Sequence, residues 1–128
     1  MAPESGHEKI SSYIFDTFSD VDALFISAGF GKLELFKDMP KEVIPTYFQV
    51  NTIPAIRLIH HFYNKLEAAE PFYCGVMVSI SGYLSSPFFS VYGATKSALR
   101  FFIESVNVEL EKNGSACRRN PRPDGEPK

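Results

Sequence analysis

The residues most able to do chemistry lie between Ser79 and Lys96, in a stretch that reads S-I-S-G-Y-L-S-S-P-F-F-S-V-Y-G-A-T-K. Tyr92 and Lys96 are four positions apart, so on a helix their side chains lie on one face, within reach of each other. A lysine charge beside a phenol favours the phenolate and lowers the phenol pKa from about 10 toward neutral pH. Such a tyrosine can act as a general acid or base. Ser79 follows a short apolar run, where it is placed to orient or polarise a substrate oxygen.

The spacing of this stretch resembles the active-site segment of the short-chain dehydrogenases/reductases. That family carries a serine, twelve intervening residues and then Y-x-x-x-K, in a strand-then-helix context. Five residues stand at the matching offsets: Ser79, Gly82, Pro87, Tyr92 and Lys96. Ser81, two residues late, is the alternative serine.

Two earlier stretches agree with the resemblance. Residues 22–29, D-A-L-F-I-S-A-G, resemble the family's strand ending in N-N-A-G, although both asparagines are absent here. The ending Ala28-Gly29 is retained where the chain must pass close to a cofactor. Val50-Asn51 resembles the family's V-N, whose asparagine helps to hold a water linked to the active-site lysine. The resemblance therefore implies two sets of residues, a catalytic set of Asn51, Ser79, Tyr92 and Lys96 and a cofactor-binding set of Ala28, Gly29, Tyr92 and Lys96.

The resemblance also implies an activity, that of an NAD(P)-dependent oxidoreductase acting on a small-molecule carbonyl or alcohol. Tyr92 would exchange a proton with the substrate oxygen, Ser79 would hydrogen-bond that oxygen, and Lys96 would bind the nicotinamide ribose. The choice between NAD and NADP is left open, because the residues that decide it follow strands outside the matched part. Two alternatives remain, a non-catalytic remnant and a self-associating interaction module without cofactor binding. Cofactor binding discriminates between the enzyme and both alternatives.

The order of predicted elements indicates an α/β fold. Apolar periodicity predicts a helix over about 7–18, a strand at 22–28, a long helix over about 41–67, a strand at 75–80, a loop at 81–90 and a helix over about 91–112. Alternating strands and helices predict a parallel sheet. We therefore expect a partial Rossmann-like, doubly wound sheet of about two strands and three helices. Pro54 must kink the long helix or follow a break near Asn51.

A phosphate-binding turn is not found in the sequence, because no G-x-x-x-G-x-G occurs. In dinucleotide-binding folds that glycine-rich turn belongs to the first βαβ unit. We therefore expect residues 1–114 to form a partial domain that binds NAD(P) weakly or not at all. After Cys117 there is no aliphatic or aromatic residue, so residues 115–128 are predicted to be a disordered polar tail. The abrupt change suggests a truncated or frame-shifted reading of a longer gene.

Composition points to an ordinary globular protein of 128 residues, 45% hydrophobic and 22% charged. The net charge of −2 offers no argument for nucleic acid or for an anionic membrane as partner. No apolar run approaches the roughly 20 residues of a membrane span. Two cysteines without a CxxC pattern favour the cytoplasm. The three histidines lack companions at ligand spacing, so we predict no metal site.

A helical stripe of Ile53, Ile56, Ile59, Phe62 and Leu66 has two interpretations. Packing against the sheet accounts for most of it, and a seam between two copies is the alternative. In the resembled family the corresponding helices commonly pack against a twofold mate, and Leu99, Phe101 and Phe102 would contribute. Exposed strand edges and apolar helix faces add to this tendency. We therefore expect the complete protein to be a homo-oligomer.

Overall fold

The computed structural model describes residues 6–17, 20–68 and 71–111. Its elements, in chain order, are α1 (Gly6–Thr17), β1 (Ala23–Ile26), α2 (Ile44–Asn51), α3 (Ile53–His61), α4 (Tyr63–Glu67), β2 (Tyr73–Val76) and α5 (Ser90–Glu111). Short 3-10 turns occur at Phe36–Asp38, Lys41–Val43 and Ile80–Gly82. The tail predicted at 115–128 lies outside the described residues. No described helix has the length and apolarity that a membrane span requires.

The sheet consists of β1 and β2, which pair in parallel with Ala23 opposite Tyr73 and Ile26 opposite Val76. The prediction of a parallel pair is therefore confirmed. The predicted bounds of the second strand, 75–80, are wrong, because β2 begins two residues earlier and ends four residues earlier. The last bond between the strands runs from the Met77 N–H to the Ile26 carbonyl, at 2.8 Å. Residues beyond it have no part of β1 opposite them, so the extended pairing stops there.

The predicted long helix over 41–67 is broken into three. The first break is at Thr52, which has φ −122° and ψ −59°, and it agrees with the prediction made from Pro54. Proline has no N–H to donate to the carbonyl of Val50, four residues earlier, so the helix cannot continue unchanged. Pro45 and Pro54 both lie in the first turn of their helices, where proline is tolerated. A second break at Phe62, with φ −93° and ψ 8°, is not predicted by any local signal.

The core lies between one face of the sheet and the helices. Ile26, Cys74 and Val76 point into it from the strands. From the helices come Ala55, Ile59, Leu66, Leu99, Ile103, Val106 and Leu110. The α5 members recur at helical spacing, which is typical of a helix with one buried face. Each such aliphatic side chain contributes about 1.5–3 kcal/mol by its burial. Packing is thus the main role of these apolar positions.

The opposite face of the sheet is bare in the described part of the chain. Phe25 is 76% exposed and Tyr73 is 57% exposed. The Phe25 ring lies on Gly75, where an added Cβ would come within 2.7 Å of it. Parallel sheets usually bury both faces, so this one-sided arrangement is unusual.

The stripe considered for a seam between copies is mostly part of the core. Ile59, Phe62 and Leu66 are buried, whereas Ile53 is 41% exposed. Among the α5 residues considered with them, Leu99 is buried and Phe102 packs against the core. Phe101, 69% exposed, is the member of that set that faces outward.

Candidate active site

Tyr92 and Lys96 lie one turn apart near the start of α5, so the helix alone brings them together. The Lys96 Nζ is 5.9 Å from the centroid of the Tyr92 ring. Lys96 is only 2% exposed, and its Nζ donates a hydrogen bond to the Met77 carbonyl at 3.2 Å. No ion pair to Lys96 occurs among the described residues. Burial without a counter-charge lowers the pKa of the Lys96 ammonium.

Asn51 joins the loop after β1 to α5. It is 1% exposed and is the last residue of α2 before the break at Thr52. Its Oδ1 accepts a hydrogen bond from the Phe30 N–H at 2.8 Å, and its Nδ2 donates to the Phe30 carbonyl at 2.8 Å. The Nδ2 also donates to the Thr95 Oγ1 at 3.1 Å. These contacts occupy the side-chain amide with structural partners.

The loop after β1 lies against the site at two glycines, Gly29 and Gly31. A Cβ added at Gly29 would lie 3.0 Å from the Lys96 Nζ and 3.3 Å from the Asn51 Oδ1. A Cβ added at Gly31 would lie 2.7 Å from the Tyr92 ring. Ala28, next to Gly29, is exposed. The structure therefore brings Gly29, Asn51, Tyr92 and Lys96 into one cluster.

Ser79 lies in the turn that follows β2, and its backbone is in an unusual conformation. Its φ is 70° and its ψ is 152°, a backbone region that residues other than glycine rarely occupy. The Ser79 Oγ accepts a hydrogen bond from the Ser81 N–H at 3.3 Å, and its carbonyl accepts one from the Gly82 N–H at 3.1 Å. Ser81, the alternative serine, thus supports the turn with its backbone. No hydrogen bond joins Ser79 to Tyr92 in the described part of the chain.

Two threonines complete the network and were not singled out from the sequence. Thr95, fully buried, donates from its Oγ1 to the Tyr92 carbonyl at 2.6 Å. Thr52 donates from its Oγ1 to the Thr95 carbonyl at 2.9 Å. The signal for Thr95 was its place three residues after Tyr92, from which a helical hydroxyl can bond back to the preceding turn. The sequence contains no comparable signal for Phe30, because only the backbone N–H and carbonyl of Phe30 contact the Asn51 side chain.

The described residues contain no group of three or more His, Cys, Asp or Glu side chains that could hold a metal ion.

Comparison with known proteins identifies the family. The sequence pattern described as short chain dehydrogenase matches residues 1–118. The chain therefore belongs to the short-chain dehydrogenase family. It is 26% identical over 123 residues to L-rhamnose 1-dehydrogenase (NAD(P)(+)) of Sphingomonas sp. (strain SKA58), and the match covers 90% of this chain and 45% of that protein. The chain thus spans less than half the length of this relative.

Solved structures show the same fold. A short-chain dehydrogenase/reductase from Vibrio parahaemolyticus matches with a TM-score of 0.76 at 23% identity, covering 89% of this chain and 49% of that one. An alcohol dehydrogenase from the archaeon Thermococcus sibiricus, complexed with 5-hydroxy-NADP, matches with a TM-score of 0.76 at 22% identity, covering 88% and 46%. The prediction of a partial Rossmann-like sheet is confirmed by these matches.

Proposed function

We propose that the chain carries the proton-transfer residues of an NAD(P)-dependent oxidoreductase that interconverts a carbonyl and an alcohol of a small molecule. The observation that carries this proposal is the buried ammonium of Lys96, which lies 5.9 Å from the Tyr92 ring. The glycine at position 29 lies directly beside that ammonium. A charged group buried without an ion-pair partner among the described residues is typical of a functional site, because burial of a charge costs stability.

Each residue of the predicted catalytic set has a separate task in this proposal. Tyr92 exchanges a proton between its Oη and the substrate oxygen, as a general acid or base. Ser79 donates a hydrogen bond to the same oxygen. The Lys96 ammonium has three donors, of which one is directed at the Met77 carbonyl, so two remain for the phenol and for a ribose hydroxyl. Asn51 holds Phe30, and through it places Gly29 beside Lys96.

The proposed cofactor is NAD or NADP. Gly29 and Gly31 let the backbone of the loop after β1 lie against Lys96 and Tyr92, because an added Cβ would come within 3.0 Å of the Lys96 Nζ or 2.7 Å of the Tyr92 ring. In this proposal Ala28 and Gly29, with Tyr92 and Lys96, bind NAD or NADP. When bound, the cofactor supplies the hydride that reaches or leaves the substrate carbon. The names of two similar proteins support this choice, one with NAD(P)(+) and one complexed with 5-hydroxy-NADP.

We also propose that the complete protein is a homo-oligomer and that it acts in the cytoplasm.

The second candidate is a non-catalytic remnant or self-associating module that binds no cofactor. It is favoured by the exposed sheet face around Phe25. On this view the cluster around Lys96 is inherited, because a family's site can persist without its activity.

A segment exchange tests the two candidates. The matched region of L-rhamnose 1-dehydrogenase is replaced by this chain, and NAD(P)-linked oxidation of L-rhamnose is measured together with cofactor binding. We expect turnover that Tyr92→Phe lowers by at least about a hundredfold, because the ring is kept but the transferable proton is lost. Tyr63→Phe, on α4, is the matched control and should leave turnover unchanged.

Two results would decide against the enzyme. A folded chimera that binds cofactor but has no turnover would favour the remnant. Turnover that Tyr92→Phe leaves intact would remove Tyr92 from the mechanism. A titration of the isolated chain with NADH and NADPH accompanies the assay, and we expect weak binding or none, because a glycine-rich phosphate turn supplies much of the anion recognition.

A further inference from the structure

The carbonyl of Gly82 accepts two hydrogen bonds from α5. The Ser97 Oγ donates to it at 3.1 Å and the Arg100 Nε at 2.9 Å. Gly82 is itself wedged against the helix, since an added Cβ would lie 2.7 Å from Val78 and 3.1 Å from the Lys96 carbonyl. Gly82 is therefore a point at which the turn after β2 is attached to α5.

Arg100 is held in place by two further contacts. Its Nη1 lies 3.2 Å from both carboxylate oxygens of Glu104, one helical turn later. Its guanidinium lies 5.2 Å from the centroid of the Tyr83 ring, close enough for a cation–π interaction. A planar guanidinium can satisfy the carbonyl, the carboxylate and the ring together, which a lysine ammonium cannot. This geometry favours arginine over lysine at position 100.

Gly82 also contacts the backbone of Ser79. The Gly82 N–H donates to the Ser79 carbonyl at 3.1 Å, so the residue whose carbonyl is bound by α5 is also bonded to Ser79. The Ser79 backbone lies in a disfavoured region, and such a conformation persists only when its surroundings hold it there. If the attachment were lost, Ser79 would relax to an ordinary backbone conformation and its hydroxyl would move.

We propose that Arg100 is a positioning residue for Ser79, acting through the Gly82 carbonyl and itself oriented by Glu104. The inference rests on the proposed function, in which the Ser79 hydroxyl must point at the substrate oxygen. Arg100 lines a cavity of about 360 Å³ between the 81–90 loop and α5, so a shorter or apolar side chain at position 100 is accommodated without a clash.

Amide hydrogen exchange tests the attachment in the chain as it exists. In Arg100→Met we expect exchange at the Ser81 and Gly82 amides to rise by at least about fivefold, because their local opening becomes easier, whereas Leu99 and Ile103 should keep their protection. Arg57→Met, on α3, is the control for loss of an arginine. Glu104→Gln keeps Arg100 but loosens it, so it should raise exchange at the same two amides by a smaller factor. Unchanged exchange in both Arg100→Met and Glu104→Gln would overturn the proposal.

A double-mutant cycle in the active chimera tests whether the effect reaches catalysis through Ser79. Arg100→Met alone should lower kcat by about tenfold and leave the KM for the cofactor unchanged, while in a Ser79→Ala background it should have no further effect. Effects that multiply independently would show that Arg100 acts by another route. If the parent chimera has no turnover, the proposed function fails, and the exchange experiment still decides the role of Arg100.

Discussion

The hydrogen bond from the Lys96 Nζ to the Met77 carbonyl, 3.2 Å long, ties α5 to the chain directly after β2. It gives a buried ammonium a neutral acceptor instead of a carboxylate. One N–H of Lys96 is therefore hydrogen-bonded, but its positive charge has no negative partner. Burial of this charge makes the folded state less stable when Lys96 is protonated.

This burial predicts a stability that depends on pH. The pKa of Lys96 is lower in the folded chain than in the unfolded chain. Between those two values the unfolded chain holds the proton and the folded chain does not, so the free energy of unfolding should rise as pH increases through that window. Lys96→Met should remove this rise and should be at least as stable as the parent at neutral pH. Urea unfolding at a series of pH values measures both effects.

The control for this experiment is Lys32→Met, because the Lys32 side chain is 71% exposed in a surface pair with Glu34. It should keep the rise. Tyr63 acts in the opposite direction, since burial and the nearby Glu67 and Glu109 raise its pKa, and stability is lost as the unfolded phenol ionises first. Subtracting the Lys96→Met curve from the parent curve cancels this contribution. A difference that is flat with pH would contradict the role given to Lys96.

Asn51→Ala should destabilise the fold by about 1–3 kcal/mol, because it removes the side chain that bonds the Phe30 N–H and carbonyl and the donor to the Thr95 hydroxyl. Asn64→Ala, at an exposed position of α4, should change stability by less than about 0.5 kcal/mol. Chemical denaturation of the three proteins measures the difference. Equal stability of Asn51→Ala and Asn64→Ala would mean that water replaces the buried amide.

Gly82→Ala should also be destabilising, by about 1–3 kcal/mol, since the new methyl must push against Val78 and the Lys96 carbonyl. The matched substitution is Gly6→Ala, where an added Cβ meets nothing within 4 Å. It should be neutral or stabilising, because alanine is the better helix former. Thermal melts of both variants provide the comparison, and a Gly82→Ala melt at or above that of the parent would show that the turn can shift.

Self-association should depend on the outward face of α5. Ala94, Ala98, Phe101 and Val108 are all exposed along it, and exposed apolar surface favours association. Phe101→Lys should therefore lower the associated fraction in light scattering, whereas Ser85→Lys, in the exposed loop before α5, should leave it unchanged. A monomeric parent at all concentrations, or an equal effect of both variants, would rule out this surface.

Local signals in the sequence were sufficient for much of the fold. The apolar spacing of α5 and the apolar run of β1 predict these elements, and Pro54 predicts the break near Asn51, because each depends on neighbours in the chain. The end of β2 was misplaced, since it depends on where β1 ends, a property of the partner strand. The break at Phe62 is not predicted, because no proline or glycine lies beside it in the sequence.

The residues of the site are predictable from the sequence, but the hydrogen bonds between them are not. Spacing alone places Tyr92 and Lys96 on one helical face, and the structure places them so. The contact between Asn51 and Phe30 joins atoms 21 positions apart, and no residue type signals a backbone partner. The same holds for the Gly82 carbonyl, whose two donors depend on how the turn meets the helix. The catalytic roles of Asn51, Ser79, Tyr92 and Lys96 stay predictions.

The pairing of Ala23 with Tyr73 has a consequence for the order in which the chain folds. These partners are separated by three helical segments, so the chain loses the entropy of closing a long loop before the first bond of the sheet can form. The attachment of Gly82 to Ser97 and Arg100 closes a much shorter loop. Contacts between near neighbours form faster than distant ones, so α5 and its turn should assemble first and the two strands should meet late.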